Sequence, residues 1–138
     1  MPGGGDGGPI VYIDRSEVHE GCWDDLEAGI RALVRFVDAH QPQMVTYGFY
    51  LDEAAHRMAV VSVHPDSDSL ERHIEVGAPE FQKLSPYLDL REIEVFGPLS
   101  DTAAELVRQK AAALGEHGTV TVHEEFAGFL HLDRADGP

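Results

Sequence analysis

Two periodicities divide this chain, and the places where one gives way to the other outline its elements. Ile10 to Arg15 (IVYIDR) alternates with period two and predicts a first strand, with Val11 and Ile13 on one face and Ile10, Tyr12 and Asp14 on the other. From Trp23 to His40 the apolar positions Leu26, Ile30, Leu33, Val34 and Val37 recur at three- and four-residue spacing, the stripe of an amphipathic helix. Asp24 and Asp25 favour the dipole of its first turn, and Pro42 stops it. Gln43 to Asp52 and Arg57 to His64 predict a second and a third strand, with DEAAH as the hairpin turn between them. A second helix begins after the Pro65–Ser69 turn, where Asp68 and Glu71 have capping-box spacing and Leu70, His73, Ile74 and Gly77 form the inner face. Pro79 is expected to interrupt it, leaving EFQKLSPYL as irregular or short helical structure. Leu90 to Phe96 (LREIEVF) predicts a fourth strand, ended by Gly97-Pro98. Thr102 to Leu114 reads as a third helix with a capping box at Thr102 and Glu105, inner positions Ala103, Leu106, Val107, Ala111 and Leu114, and a stop at Gly115. Thr119 to Phe126 reads as a fifth strand.

The first six elements follow the order βαββαβ, which predicts an α+β, ferredoxin-like antiparallel sheet with two helices on one face. The expected division is a glycine-rich lead over 1–9, one domain over 10–132 that includes a helix–strand extension over 99–132, and a tail over 133–138. Strand alternation predicts that the helices cover the wholly apolar face of Val11, Ile13, Ala59, Val61, Val63, Ile93 and Val95. The other face would then carry Ile10, Tyr12, Asp14, Met58, Val60, Ser62, His64, Glu92, Glu94 and Phe96. That set is too apolar for a wet face and too polar for a second core, so a partly enclosed, dimer-covered cavity is expected there.

Composition narrows the function. The chain of 138 residues has 10 basic and 25 acidic residues, a formal charge of −15, and its lysines are Lys83 and Lys110 alone. Phosphate backbones and anionic headgroups would repel it, so neither nucleic acid nor membrane is an expected partner. The single cysteine, Cys22, excludes an intramolecular disulfide. MPGGGDGGP lacks the charged and apolar regions of a signal peptide, and a cytoplasmic location is expected.

The third strand VVSVH, the segment SDSLERHIEVGAPEF and the fourth strand REIEVFGP resemble the antibiotic-biosynthesis-monooxygenase domains of the dimeric α/β-barrel superfamily. In that pattern a strand is followed by a short turn, a helix with a mid-helix histidine (here His73) and an aromatic several residues on (here Phe81). The resemblance spans about Ile10 to Pro98. It implies a homodimer whose sheets pack into a barrel, each subunit keeping a cavity between sheet and helices. It also implies cofactor-free oxidation of quinol- or anthrone-like aromatics, or haem breakdown, both associated with an asparagine and a tryptophan in the pocket. This chain has no asparagine, and its one tryptophan, Trp23, starts the first helix, which leaves haem breakdown without support and the oxidation without its polar anchor.

The candidate catalytic residues are His64 and His73, whose imidazoles titrate near neutrality and suit a general base that ionises a phenol. The structural alternatives are a strand-end histidine capping the Asp66–Ser69 turn and a core histidine bonded to a backbone carbonyl. Tyr12, Tyr47, Tyr50, Phe81 and Phe96 are the candidate substrate contacts for a hydrophobic or aromatic small molecule; the alternative is ordinary core or dimer interface. Asp14, His64, Glu92 and Glu94 carry metal-ligand chemistry, but no HExxH or close His/Cys spacing accompanies them, so no metal is expected, nor any other cofactor. GxSxG is absent too. The favoured reading is a small-molecule-binding dimeric α/β-barrel protein, with cofactor-independent oxygenation of a quinol- or polyketide-like aromatic as its candidate activity. Set against it are a non-catalytic ligand-binding or stress-associated module, and an assembly protein whose terminal helix and strand cover or exchange sheet edges.

Overall fold

The computed structural model describes residues 8–131; most of the glycine-rich lead, residue 132 and the tail expected over 133–138 lie outside the described residues. The chain runs β1 (Ile10–Val18), α1 (Trp23–His40), β2 (Thr46–Asp52), β3 (Arg57–His64), α2 (Ser67–Gln82), β4 (Leu88–Phe96), α3 (Asp101–Leu114) and β5 (Thr119–His123). The strands form one sheet in the order β2-β3-β1-β4-β5. The first four pair antiparallel, and β5 joins β4 in parallel. This is the predicted ferredoxin-like α+β order, with the extra helix adding a fifth strand and making the sheet mixed.

Local chemistry explains where the boundaries moved. β1 extends three residues past Arg15, and its register with β4 shifts between Arg15 and Ser16; the extra residue is Arg91 of β4, which keeps Leu88 and Leu90 on the same buried face as Ile93. α2 is capped by Asp66 rather than Asp68: its Oδ1 accepts from the Ser69 amide at 2.9 Å. The helix passes through Pro79 without a break. Proline removes the amide that would bond to Glu75, but Glu75 and Pro79 are both exposed, so solvent satisfies the freed carbonyl. α3 starts one residue earlier than predicted because Ser100 is its cap, with Oγ accepting from the Ala103 amide at 3.0 Å.

The covered face of the sheet is a correction for β1 and β3. Ile10, Tyr12, Asp14, Ser16 and Val18 are buried, with Met58, Val60, Ser62 and His64 beside them on β3. Leu88, Leu90, Ile93 and Val95 complete this face on β4. Val11, Ile13, Ala59, Val61 and Val63, expected under the helices, lie on the open face instead, with Glu92, Glu94 and Phe96. The apolar set does not decide the face here, because the polar groups turned inward bond to one another.

α1 contributes Leu26, Ile30, Leu33 and Val37 to the covering layer, α2 Leu70, Ile74 and Phe81, and α3 Ala103, Val107, Ala111 and Leu114. Each large side chain so buried contributes roughly 1.5–3 kcal/mol. The approach of α3 to β4 is set at Gly115, where a Cβ would overlap the Leu90 carbonyl oxygen. Gly115→Ala is therefore expected to destabilise the fold by about 1–3 kcal/mol in urea unfolding, through displacement of the end of α3 rather than through backbone strain; an unchanged midpoint would show that the contact yields freely.

Candidate functional site

Polar side chains converge beneath the helices at the middle of the sheet. Asp14 is 2% exposed on the central strand. Its Oδ2 accepts from the Tyr12 hydroxyl at 2.6 Å and from Lys110 Nζ, on α3, at 3.3 Å. The Lys110 side chain is itself 8% exposed, and its ammonium lies 4.7 Å from the Tyr12 ring centroid and 4.3 Å from that of Phe81. A charge taken this far from water is tolerable only with partners, and here the lysine has a carboxylate and two ring faces. Burial lowers its pKa, and Asp14 opposes the shift. Burial, then the charge and hydrogen bond of Asp14, raise the Tyr12 phenol far above its usual value; burial likewise raises Tyr47.

The two histidines are neighbours, with ring centroids 5.4 Å apart. β3 presents His64 between two hydroxyls: Nε2 lies 3.1 Å from Ser62 Oγ and Nδ1 lies 2.9 Å from Ser69 Oγ. α2 presents His73, whose Nδ1 lies 3.2 Å from Gln41 Oε1, at the C-cap of α1. Because a carbonyl oxygen only accepts, Nδ1 carries the proton and Nε2 is left as a lone-pair acceptor. Burial first, and then the positive charge of Lys110, push His64 down to about 4 and His73 down to about 2. Both rings are neutral at physiological pH, where groups with such pKa values are weak proton acceptors. His73 also meets Tyr47 and Phe81 at 5.1 Å between centroids.

Asp14, Ser16 and Lys110 open onto a cavity walled by Tyr47, Phe49, Phe81 and aliphatic side chains from α1, β3, β4 and α3. Its volume is about 20 Å³, room for one water and not for an aromatic ring. Three buried side-chain atoms have no hydrogen-bond partner among the described residues: Ser16 Oγ at this cavity, Gln41 Nε2 and His73 Nε2. Such atoms are costly unless something else bonds to them.

Of the residues singled out in the sequence, Tyr12, Tyr47, His64, His73 and Phe81 come together here. Tyr50 and Phe96 do not. Tyr50 is 61% exposed on the open face, and Phe96, on that face too, stacks on His123 at 4.6 Å. Asp14 and His64 are likewise separated by the sheet from Glu92 and Glu94, which pair with Arg15 at 3.3 and 2.8 Å. Among the described residues no three His, Cys, Asp or Glu side chains are grouped to hold a metal ion. Sequence reasoning missed Ser16, Gln41 and Lys110. Lys110 did carry a signal, standing three residues after Val107 and four before Leu114 on the inner face of α3.

No protein-family model and no curated protein matches the sequence. Solved structures do match in three dimensions. MupZ from Pseudomonas fluorescens superposes with a TM-score of 0.71 at 16% identity, covering 91% of this chain and 96% of that one. SnoaB from Streptomyces nogalater, a cofactor-independent oxygenase, gives 0.56 at 18% identity over 67% of this chain and 95% of its own. A Caulobacter crescentus CB15 protein described as a candidate antibiotic biosynthesis monooxygenase gives 0.58 at 17% identity, over 68% and 92%. This chain has the fold of antibiotic-biosynthesis-monooxygenase-like proteins. Among the described residues no helix is long and apolar enough to cross a membrane.

The buried histidines make stability depend on pH. Both folded-state values, about 4 and about 2, lie below the roughly 6.5 of an unfolded histidine, so below that pH the unfolded chain takes up protons that the folded one refuses. Stability is full above about pH 6.5 and falls as the pH drops towards 4, by up to about 1.4 kcal/mol per pH unit for each ring. Urea unfolding between pH 7.5 and 5 is expected to show this slope, and the double variant His64→Gln, His73→Gln to flatten it. An equal slope in the double variant would assign the acid sensitivity to other groups.

Proposed function

We propose that this protein binds an aromatic small molecule with an acidic hydroxyl, of quinol or polyketide type, and oxidises it with dioxygen without a cofactor; the hydroxyl enters the cavity between sheet and helices, and the ring is admitted when the Phe81 side chain turns aside. The observation that carries this reading is the polar end of an otherwise apolar cavity: an ion pair, Asp14–Lys110, beside the unpartnered Ser16 hydroxyl.

A hydroxyl placed there passes its proton to Asp14 as Lys110 pairs with the oxyanion that forms; the exchange of ion-pair partners, not the basicity of the carboxylate, drives the transfer, and the net charge of the site does not change. Ser16 Oγ supplies a further hydrogen bond. The ionised ring is electron-rich enough to reduce dioxygen itself. Oxygen attaches to a ring carbon that bears two hydrogens in the keto tautomer; loss of water leaves a carbonyl. One oxygen atom of O2 enters the product and the other leaves as water. His64 and His73 act as positioning residues in this scheme, both neutral: His73, held by Gln41, packs against Tyr47 and Phe81, and His64, held by Ser62 and Ser69, packs against His73. A non-catalytic binding module is the second reading, favoured by the low basicity of both imidazoles.

A homodimer belongs to the same reading. The open sheet face presents Val11, Ile13, Val61 and Val63, only partly buried, and Phe96 at 37% exposure. A second copy packed face to face would cover these residues.

The site reading is tested by thermal unfolding with quinols and anthrones, followed by oxygen uptake. A ligand at 100 times its Kd should stabilise by about 2.7 kcal/mol. Because Lys110→Met alone would leave Asp14 buried and unpaired, the informative variant is Asp14→Asn with Lys110→Met, which removes both charges together. It is expected to fold, to lose at least tenfold in ligand affinity, and to consume no oxygen with substrate. Ligand stabilisation without oxygen uptake in the native protein would establish the binding module; undiminished uptake in the double variant would overturn the assigned residues. For the assembly, sedimentation should give twice the 15.1 kDa chain mass, and Val61→Arg the single-chain mass. A native monomer would remove the dimer.

A further inference from the structure

Phe81, Lys110 and Leu114 have space on both sides. Inward they line the small cavity; outward they line a groove between α2 and α3 that encloses about 230 Å³ and is walled mainly by Ile74, Ala78, Leu106 and Ala113. The largest of these three shared side chains is the Phe81 ring. It rests on the bare backbone of Gly77, where a Cβ would come within 2.5 Å of its Cζ, and its face meets the Lys110 ammonium at 4.3 Å.

We propose that the two spaces are halves of one elongated site, and that its ligand is a hydroxyaromatic carrying an apolar alkyl or acyl chain. The oxygen end reaches Asp14 and Lys110, the ring takes the place Phe81 vacates, and the chain lies between α2 and α3. This rests on the reading of the inner cavity given above and adds the substrate class to it.

Continuity and charge fix the orientation. Among the described residues Lys110 is the one cation lining either space, and its Nζ is held inside by Asp14. The groove includes the Glu75 carboxylate, so an acidic end is attracted inward and repelled outside. The groove walls offer mainly methyl and methylene groups, which suit a chain and not a charge. The groove is made by α3, which follows the βαββαβ unit, so the added helix supplies both the cation and the outer wall.

The test is anaerobic calorimetric titration with methyl-, pentyl- and heptylhydroquinone, which reads binding apart from turnover. Affinity is expected to rise about fourfold per methylene from methyl to pentyl. Ala113→Phe fills the groove from an exposed position on α3 and is expected to cut the pentyl-to-methyl affinity ratio to under about twofold; Ala78→Phe, from α2, serves if that variant melts early. Equal affinities across the series in the native protein would overturn the elongated site, as would a chain-length gain that both fillings leave intact. Binding of no hydroquinone at all would instead overturn the inner-cavity reading, and this inference with it.

Discussion

Asp14 is the constraint on which the rest of the arrangement turns. It sits on the central strand, facing the helices, where a bare carboxylate would cost several kcal/mol. Tyr12, two residues away on the same face, supplies a hydroxyl, but neutralisation has to come from outside the sheet. It comes from Lys110. For the ammonium to arrive, α3 must lie close over β4, and the missing side chain at Gly115 lets its end settle on the Leu90 carbonyl. The positive charge then acts on its neighbours, holding the two imidazoles neutral more firmly than burial alone would. One pair thus links strand, added helix and histidines.

The elements were legible in the sequence because each has its own periodicity. α1 and β3 came out with their observed bounds, and the βαββαβ order with its helix–strand addition followed from spacing alone. Caps were less legible: Asp66 and Ser100 act where Asp68 and Thr102 had the better-known spacing, since several residues at a helix start can accept from the same amides. The sheet face was not legible for β1 and β3. Period two separates two sets of residues but does not say which set is covered, and here the more apolar set is the open one. The deciding fact is that Tyr12, Asp14, Ser62 and His64 find partners at close range, which is a property of the packed chain and not of any strand.

The same reasoning explains the site. His64 and His73 share a neighbourhood because α2 folds back over the end of β3, and the five-residue separation of His64 from Ser69 becomes a hydrogen bond. Lys110 was passed over because a lysine on a helix is ordinarily solvated, even when its spacing places it with Val107 and Leu114. Gln41 left no signal, being the residue that ends α1 and only by tertiary placement the partner of His73. Tyr50 and Phe96 share the strands of the cavity but point the other way, the expected cost of reading pockets from residue type without a face.

A cavity occupied by its own aromatic side chain also bears on ligand chemistry. Phe81 is 4% exposed, and its ring does two things: it buries apolar surface and it offers a face to the Lys110 ammonium. An incoming molecule that displaces the ring must replace both contributions. An aliphatic group restores the apolar burial but leaves the buried cation with one ring face fewer, at a cost of about 1–2 kcal/mol where the cation is desolvated. An aromatic ring restores both, and an ionised oxygen on it gives Lys110 an anionic partner in place of the Asp14 carboxylate that has taken up its proton. The proposed ligand, aromatic and acidic, is thus the kind that would replace both contributions of Phe81 to its surroundings, an argument that stands apart from any likeness of fold.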